Sequence, residues 1–326
     1  MHRKIAAAAA CGALLLAGCG SEDEEPQPAA AAAAPAAQEG AASTYAPASD
    51  VSSNAAIGKD VAAIRALLEP EQAGAKPDFA AAGQIWSNGS FSKKSDGTNR
   101  TLAGFAEDHP AGRRVAHALA GKGTAASLSD EERVQWIDKG MVVTLKVHAL
   151  HEFEGAKEKL AAGELDPEEG AVHNVDEVWA YFDAAGEGVV ATAAKRAKDF
   201  GLDEHELGND VIAGITDARE AVEQKDAAAL DAAAEKTRGA MNRIFALAVK
   251  KYAVEAPEGA KERAEGLAFS WGLDGELAAA DLRTIRAAFG AGASEGAAQT
   301  VADTLDAAAA KLGFADPLPA YPAAGS

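Results

Sequence analysis

The chain has 326 residues, with 31 basic and 50 acidic side chains, a formal net charge of −19 and only 6% aromatics. Phosphates would be repelled, which excludes nucleic acid as a partner, whereas an acidic surface tolerates or attracts cations. Both cysteines, Cys11 and Cys19, lie in the first twenty residues, so no disulfide or thiolate is available to the body. Any metal there must be held by His, Asp, Glu, Tyr or backbone oxygen, a set that suits Fe(III), Mn, Ca or Mg.

His2-Arg3-Lys4 followed by the apolar run 5–16 and Leu16-Ala17-Gly18-Cys19 reads as a bacterial lipoprotein leader, residues 1–19, with Cys19 as the lipidated residue. A plain secretory peptide with an incidental cysteine is the alternative. Acyl chains on Cys19 would hold the protein on a membrane surface outside the cytoplasm, in the periplasm or at the cell surface. Residues 20–54 are acidic, then Ala/Pro-rich, and read as a tether.

The body, residues 55–316, reads as helices. The first runs over 54–69 and stops before Pro70, and the second covers 77–86. A polar, glycine-rich loop follows, whose cations Lys93, Lys94 and Arg100 suit an anion or a carboxylate, or simply solvent. Helices then cover 111–121 and 130–163, the latter capped by Ser129 or Asp130. Further helices cover 168–182, 189–200, 204–224 and 226–254. The chain restarts at Pro257, and helices at 275–290 and 294–312 precede a loose tail, 317–326.

Alanine abundance and sparse β-branched residues predict an all-α fold, a multi-helix bundle. A short echo between Glu177-Val-Trp-Ala-Tyr181 and Glu265-Gly-Leu-Ala-Phe269 suggests two pseudo-repeated halves, although alanine is common enough for chance to produce it.

Two helical stripes carry chemistry. On 168–182, His173, Asp176 and Glu177 fall at i, i+3 and i+4 and can converge on a hard metal ion, while Val172, Val175, Val178, Trp179 and Phe182 face a core. A merely solvated helix face has the same pattern. On 130–163, the apolar stretch 141–150 must be buried, and Thr144, His148, His151 and Glu152 form a polar stripe with Glu154 beyond it.

The pieces FSKKSDGTNRTLAGFA (91–106), EGAVHNVDEVWAYF (169–182), AAKRAKDFG (193–201) and ERAEGLAF (262–269) together resemble the low-iron-inducible, high-CO2-inducible periplasmic proteins of algae, an iron-assimilating family with bacterial members. Val175 and Val178 depart from its pattern. The resemblance implies an extracytoplasmic helical protein that binds iron, Fe(III) or Fe(II), for uptake. It adds Glu262 and Glu265 to His173, Asp176 and Glu177 as ligands. A looser similarity to imelysin-like proteins rests on His148, His151 and Glu154.

The expected function is therefore iron capture by a lipid-anchored protein that hands its ion to a membrane transporter. The alternative is a helical envelope lipoprotein that binds a protein or polymer without metal. A hydrolase is less favoured, because neither a His-Glu-x-x-His helix nor a Gly-x-Ser-x-Gly elbow is present. No catalytic residue is assigned and the protein is not expected to be an enzyme.

Overall fold

Alanine- and leucine-rich stretches with helical spacing become helices throughout the residues that the computed structural model describes, 44–72, 74–290 and 293–322. The leader, Cys19 and the tether up to residue 43 lie outside these residues. In order the helices are α1 (Ser52–Ala55), α2 (Ile57–Leu68), α3 (Phe79–Asn88), α4 (Leu102–Phe105), α5 (Pro110–Ala120), α6 (Asp130–Ala162) and α7 (Ala171–Asp183). Then come α8 (Val189–Asp199), α9 (Glu206–Glu223), α10 (Ala227–Glu255), α11 (Ala260–Phe269), α12 (Ala279–Ala287), α13 (Glu295–Ala307) and α14 (Ala309–Leu312). Among the described residues there is no strand, only an isolated bridge between Lys93 and Asn99. The protein is an all-α multi-helix bundle, as its composition predicts.

Local signals account for the boundaries. Ser129 closes a capping box with Glu132 at the start of α6, and Gly163 ends that helix in the left-handed region at φ 77°. Asp226 accepts from the Ala229 amide to start α10. Two expected helices are interrupted: 54–69 divides at Ala56 and 294–312 at Ala308.

Helix α6 is the central element. It packs against α5, α7, α10 and α11, and Met141, Val143, Leu145 and Ala149 are completely enclosed. Burying a side chain of this size contributes about 1.5–3 kcal/mol, so a helix enclosed on all sides over two turns anchors its neighbours. Helix α10 does the same through Ile244–Val249, and pairs most extensively with α9. Small residues set the spacing. A Cβ on Gly140 would lie 2.3 Å from Val115 Cγ2, so the glycine is what lets α5 come this close to α6 at that point.

The two ends of the described chain are more firmly held than composition suggests. Tyr45, Ala48 and Ser49, assigned above to the tether, hydrogen-bond to α7. Leu318, assigned to the loose tail, is buried, and its carbonyl accepts from Lys250 Nζ at 2.9 Å. Among the described residues no helix is long and apolar enough to cross a membrane.

Candidate functional site

Helices α6 and α7 run antiparallel, because residue 155 meets 174, 152 meets 174 and 148 meets 181. A spacing of four places His148 above Glu152 on α6, and His173 above Glu177 on α7. The two stripes face each other. His148 Nε2 lies 3.4 Å from Glu152 Oε1, and His173 Nε2 lies 3.5 Å from Glu177 Oε1. Glu152 and Glu177 share a hydrogen bond. The result is a chain of four groups, imidazole–carboxyl–carboxyl–imidazole, with side-chain exposures of only 12–19%.

Two carboxyl groups in contact away from water cannot both be charged cheaply. Burial, then the charge and hydrogen bond of Glu177, push Glu152 up to about 8, against the opposing bond from the Asn174 amide. Glu177 is the ionised partner. Burial works against its charge, but the His173 and Glu152 hydrogen bonds and the His173 and Arg100 charges outweigh it and hold it below the usual carboxylate range. Near neutral pH the pair therefore holds one proton. Burial lowers His148 to about 3, so it is a neutral imidazole, stacked 3.6 Å from the Phe105 ring.

The surrounding groups come from three places. Asn54 of α1 donates to both Glu177 Oε1 and the Tyr181 hydroxyl. Arg100, from the loop before α4, donates to the Lys93 carbonyl and to Ser53 Oγ at 3.1 Å, and lies 3.9 Å from Glu177 Oε1. Asn174 donates to Glu152 at 2.7 Å, while its own Oδ1 is buried without a hydrogen-bond partner. A buried amide oxygen left without a partner costs about 1–3 kcal/mol, and here it lies beside the carboxyl pair. Gly155 makes room for it, since a Cβ there would come within 2.7 Å of Asn174 Nδ2.

Asp176 departs from the face expected of it. Positions i+3 and i+4 lie on opposite sides of His173, about 100° apart around the helix, so Glu177 can face α6 while Asp176 faces the other way. Its buried carboxylate accepts from Tyr45 Oη at 2.6 Å and from Ala48 N, Ser49 N and Ser49 Oγ, each at 2.8 Å. Four donors occupy it, which leaves it poorly placed to ligate. Ser49 Oγ is also 3.0 Å from His173 Nδ1. Because the serine proton goes to Asp176, Ser49 must accept from Nδ1–H, which leaves Nε2 as the His173 nitrogen that faces Glu177.

The remaining sequence candidates lie elsewhere. Glu265 is buried and paired with Lys139 at 3.2 Å, and Lys139 also bonds Asp138 at 2.6 Å. Lys139 is thirteen residues before Glu152 on α6, about 20 Å along the helix. The α10–α11 pair repeats the long-then-short order of α6–α7, but Glu177 and Glu265 do not share one site. Glu262 sits in the first turn of α11. His151 and Glu154 are exposed and border a separate cleft of about 350 Å³ beside Lys146 and Arg238. Glu152, Asn54, Asn174 and Tyr181 join the site without having been singled out as candidate ligands. The signal for Glu152 was its place four residues after His148, and none marks Asn54.

As placed, no group of three or more His, Cys, Asp or Glu side chains is arranged to hold a metal ion among the described residues. The four groups bond to one another instead. A family described as low iron-inducible periplasmic protein matches residues 27–255, more than half of the chain. No curated protein and no solved structure matches it.

Proposed function

The chain belongs to the low iron-inducible periplasmic protein family, and on that premise we propose that it captures iron at the Glu152–Glu177 pair for uptake. The observation that carries this reading is that pair: two buried carboxyl groups holding one proton between two imidazoles. A cation replaces the proton, the carboxylates turn toward a common point, and His173 Nε2 and His148 supply nitrogen. Asn174 Oδ1, without a partner, is a fifth oxygen within the same group. Hard oxygen donors with one or two imidazoles suit Fe(III) or Fe(II). Iron is the cargo, and no bond of a substrate is made or broken. Protonation of Glu152 would favour release to a membrane transporter. Lipidated Cys19 would keep the protein on the membrane surface where that handover takes place.

The test is metal content. Protein purified with iron should carry close to one ion per chain, resistant to excess calcium, and Glu152→Gln with Glu177→Gln should lose it while staying helical by circular dichroism. Equal iron in the double variant would overturn the assignment. Among the described residues no three-ligand group is ready-made, and a second reading is a helical module that binds a protein or polymer without metal. Iron-free wild-type protein after iron loading would support that reading.

A further inference from the structure

On the side of α7 away from Glu177, a cleft of about 480 Å³ opens between Trp179 and Phe182 of α7, the small residues of α8 and the start of α9. Tyr45 closes one side, and Asp183, Glu204, His205, Asn209 and Thr44 supply the polar part of the wall. We propose that this cleft binds a small organic cation with an apolar body. The proposal is independent of the iron site, with which the cleft shares no residue.

The volume falls in the range of small-molecule sites, about 300–1,000 Å³, and such sites are mostly apolar with a few polar groups. Alanines 191, 193 and 194 and Gly208 leave that space open by their small size. Charge decides the class of ligand. The lining contains two carboxylates and neither lysine nor arginine. Asp183 and Glu204 form no ion pair among the described residues; backbone amides of Ala185 and Gly186 reach Asp183, yet burial still raises it above the usual carboxylate range. An uncompensated, partly buried carboxylate gains from a cation beside it.

The aromatic groups narrow the class further. Indole and phenyl faces attract cations, tryptophan most strongly, and quaternary ammonium groups are recognised in this way. Arg219 already lies 5.5 Å from the Tyr45 ring but is not part of the lining, and Phe182 is buried, so the half-buried Trp179 ring remains. A bare metal ion would lose its hydration against this mostly apolar wall without gaining enough oxygen ligands. An alkylated ammonium loses little hydration and also buries its hydrocarbon.

The experiment uses the full chain with benzyltrimethylammonium, and its uncharged carbon isostere neopentylbenzene as control. Trp86, Trp136 and Trp271 are buried in the core, so the half-buried Trp179 is the tryptophan whose fluorescence should respond. Saturable quenching is expected, with the isostere at least about tenfold weaker, and Glu204→Gln weaker by about three- to fivefold. Glu204 is exposed, so that variant does not threaten the fold. Trp179→Leu should remove both the signal and calorimetric binding. The proposal is overturned by absence of saturable binding, by equal affinity for the isostere, by an unchanged Glu204→Gln, or by full competition from millimolar calcium.

Discussion

Asp176 orients the His173 ring without touching it. The link is one hydroxyl: Ser49 Oγ lies 2.8 Å from Asp176 Oδ2 and 3.0 Å from His173 Nδ1. The same carboxylate fastens residues 45–49 to α7. Asp176 is therefore a positioning residue, one shell behind the imidazole it orients. Outer partners of this kind typically change metal affinity by about 10–100-fold. Ser49→Ala should lower iron affinity by roughly tenfold, while all of the proposed ligands remain. Iron titration against a competing chelator would measure this, and unchanged affinity would remove the relay from the argument.

Glu152 gives stability a distinctive pH dependence. Its free value is 4.5 and its folded value about 8. Between these, the folded protein holds a proton that the unfolded chain has released, so this contribution is complete below pH 4.5 and is lost as pH rises toward 8. Glu177 is shifted the other way, so its contribution is lost only on acidification through its lowered folded value. At about 1.4 kcal/mol per unit, the Glu152 window amounts to a few kcal/mol. Urea midpoints of the iron-free protein should fall from pH 5 to pH 8, and Glu152→Gln should flatten the slope. A parallel decline in that variant would show that other groups are responsible.

Iron binding should carry the same signature with opposite sense. An ion that displaces the shared proton releases about one proton per chain near pH 7, so affinity rises with pH until Glu152 is ionised. Calorimetry in two buffers of different ionisation enthalpy measures the number directly. Release near zero at pH 7 would mean that the ion binds without Glu152.

The fold was readable because helical spacing and alanine content acted together over long stretches. Residues 130–163 and 226–254, apolar on nearly every side in their middles, became the two helices around which the bundle packs. The face carrying His173 and Glu177 was readable for the same reason: four residues make one turn. What depended on tertiary contact was not. Asp176 shares the local pattern with Glu177, and only the docking of residues 45–49 separates them. Glu265 carries the same short motif as Glu177, but Lys139 lies beside it, and that pairing crosses 126 positions that no local period spans. Asn54 enters through the break between α1 and α2 at Ala56.

The glycines at close approaches give a test of packing that is separate from the site. A Cβ on Gly58 of α2 would lie 1.7 Å from the Ala184 carbonyl oxygen just after α7. Backbone cannot move aside as a side chain does, so Gly58→Ala should destabilise by about 1–3 kcal/mol or more. Denaturant melting would show a lower midpoint at unchanged slope. A midpoint equal to wild type would mean that α2 does not rest on that turn in solution.

The most discriminating comparison sets Glu265 against Glu177. Glu265 sits 3.2 Å from Lys139, whose ammonium is shared with Asp138, itself bonded by Arg65 at 2.6 Å. Burial opposes the lysine's charge, but the two carboxylates outweigh it and raise the group, while Lys139 and Arg65 hold Asp138 down to about 2 despite burial. A buried cation already fills the place where a metal would have to bind. Glu265→Gln should therefore leave iron stoichiometry unchanged and lower stability by about 1–3 kcal/mol, the cost of leaving a buried ammonium short of one partner. Glu177→Gln should instead lose iron, and it also gives up the stability that the lowered Glu177 contributes at neutral pH. Measuring metal content and urea midpoints on both variants separates a structural acid from a ligating one. Iron lost with Glu265 would restore the second segment to the site.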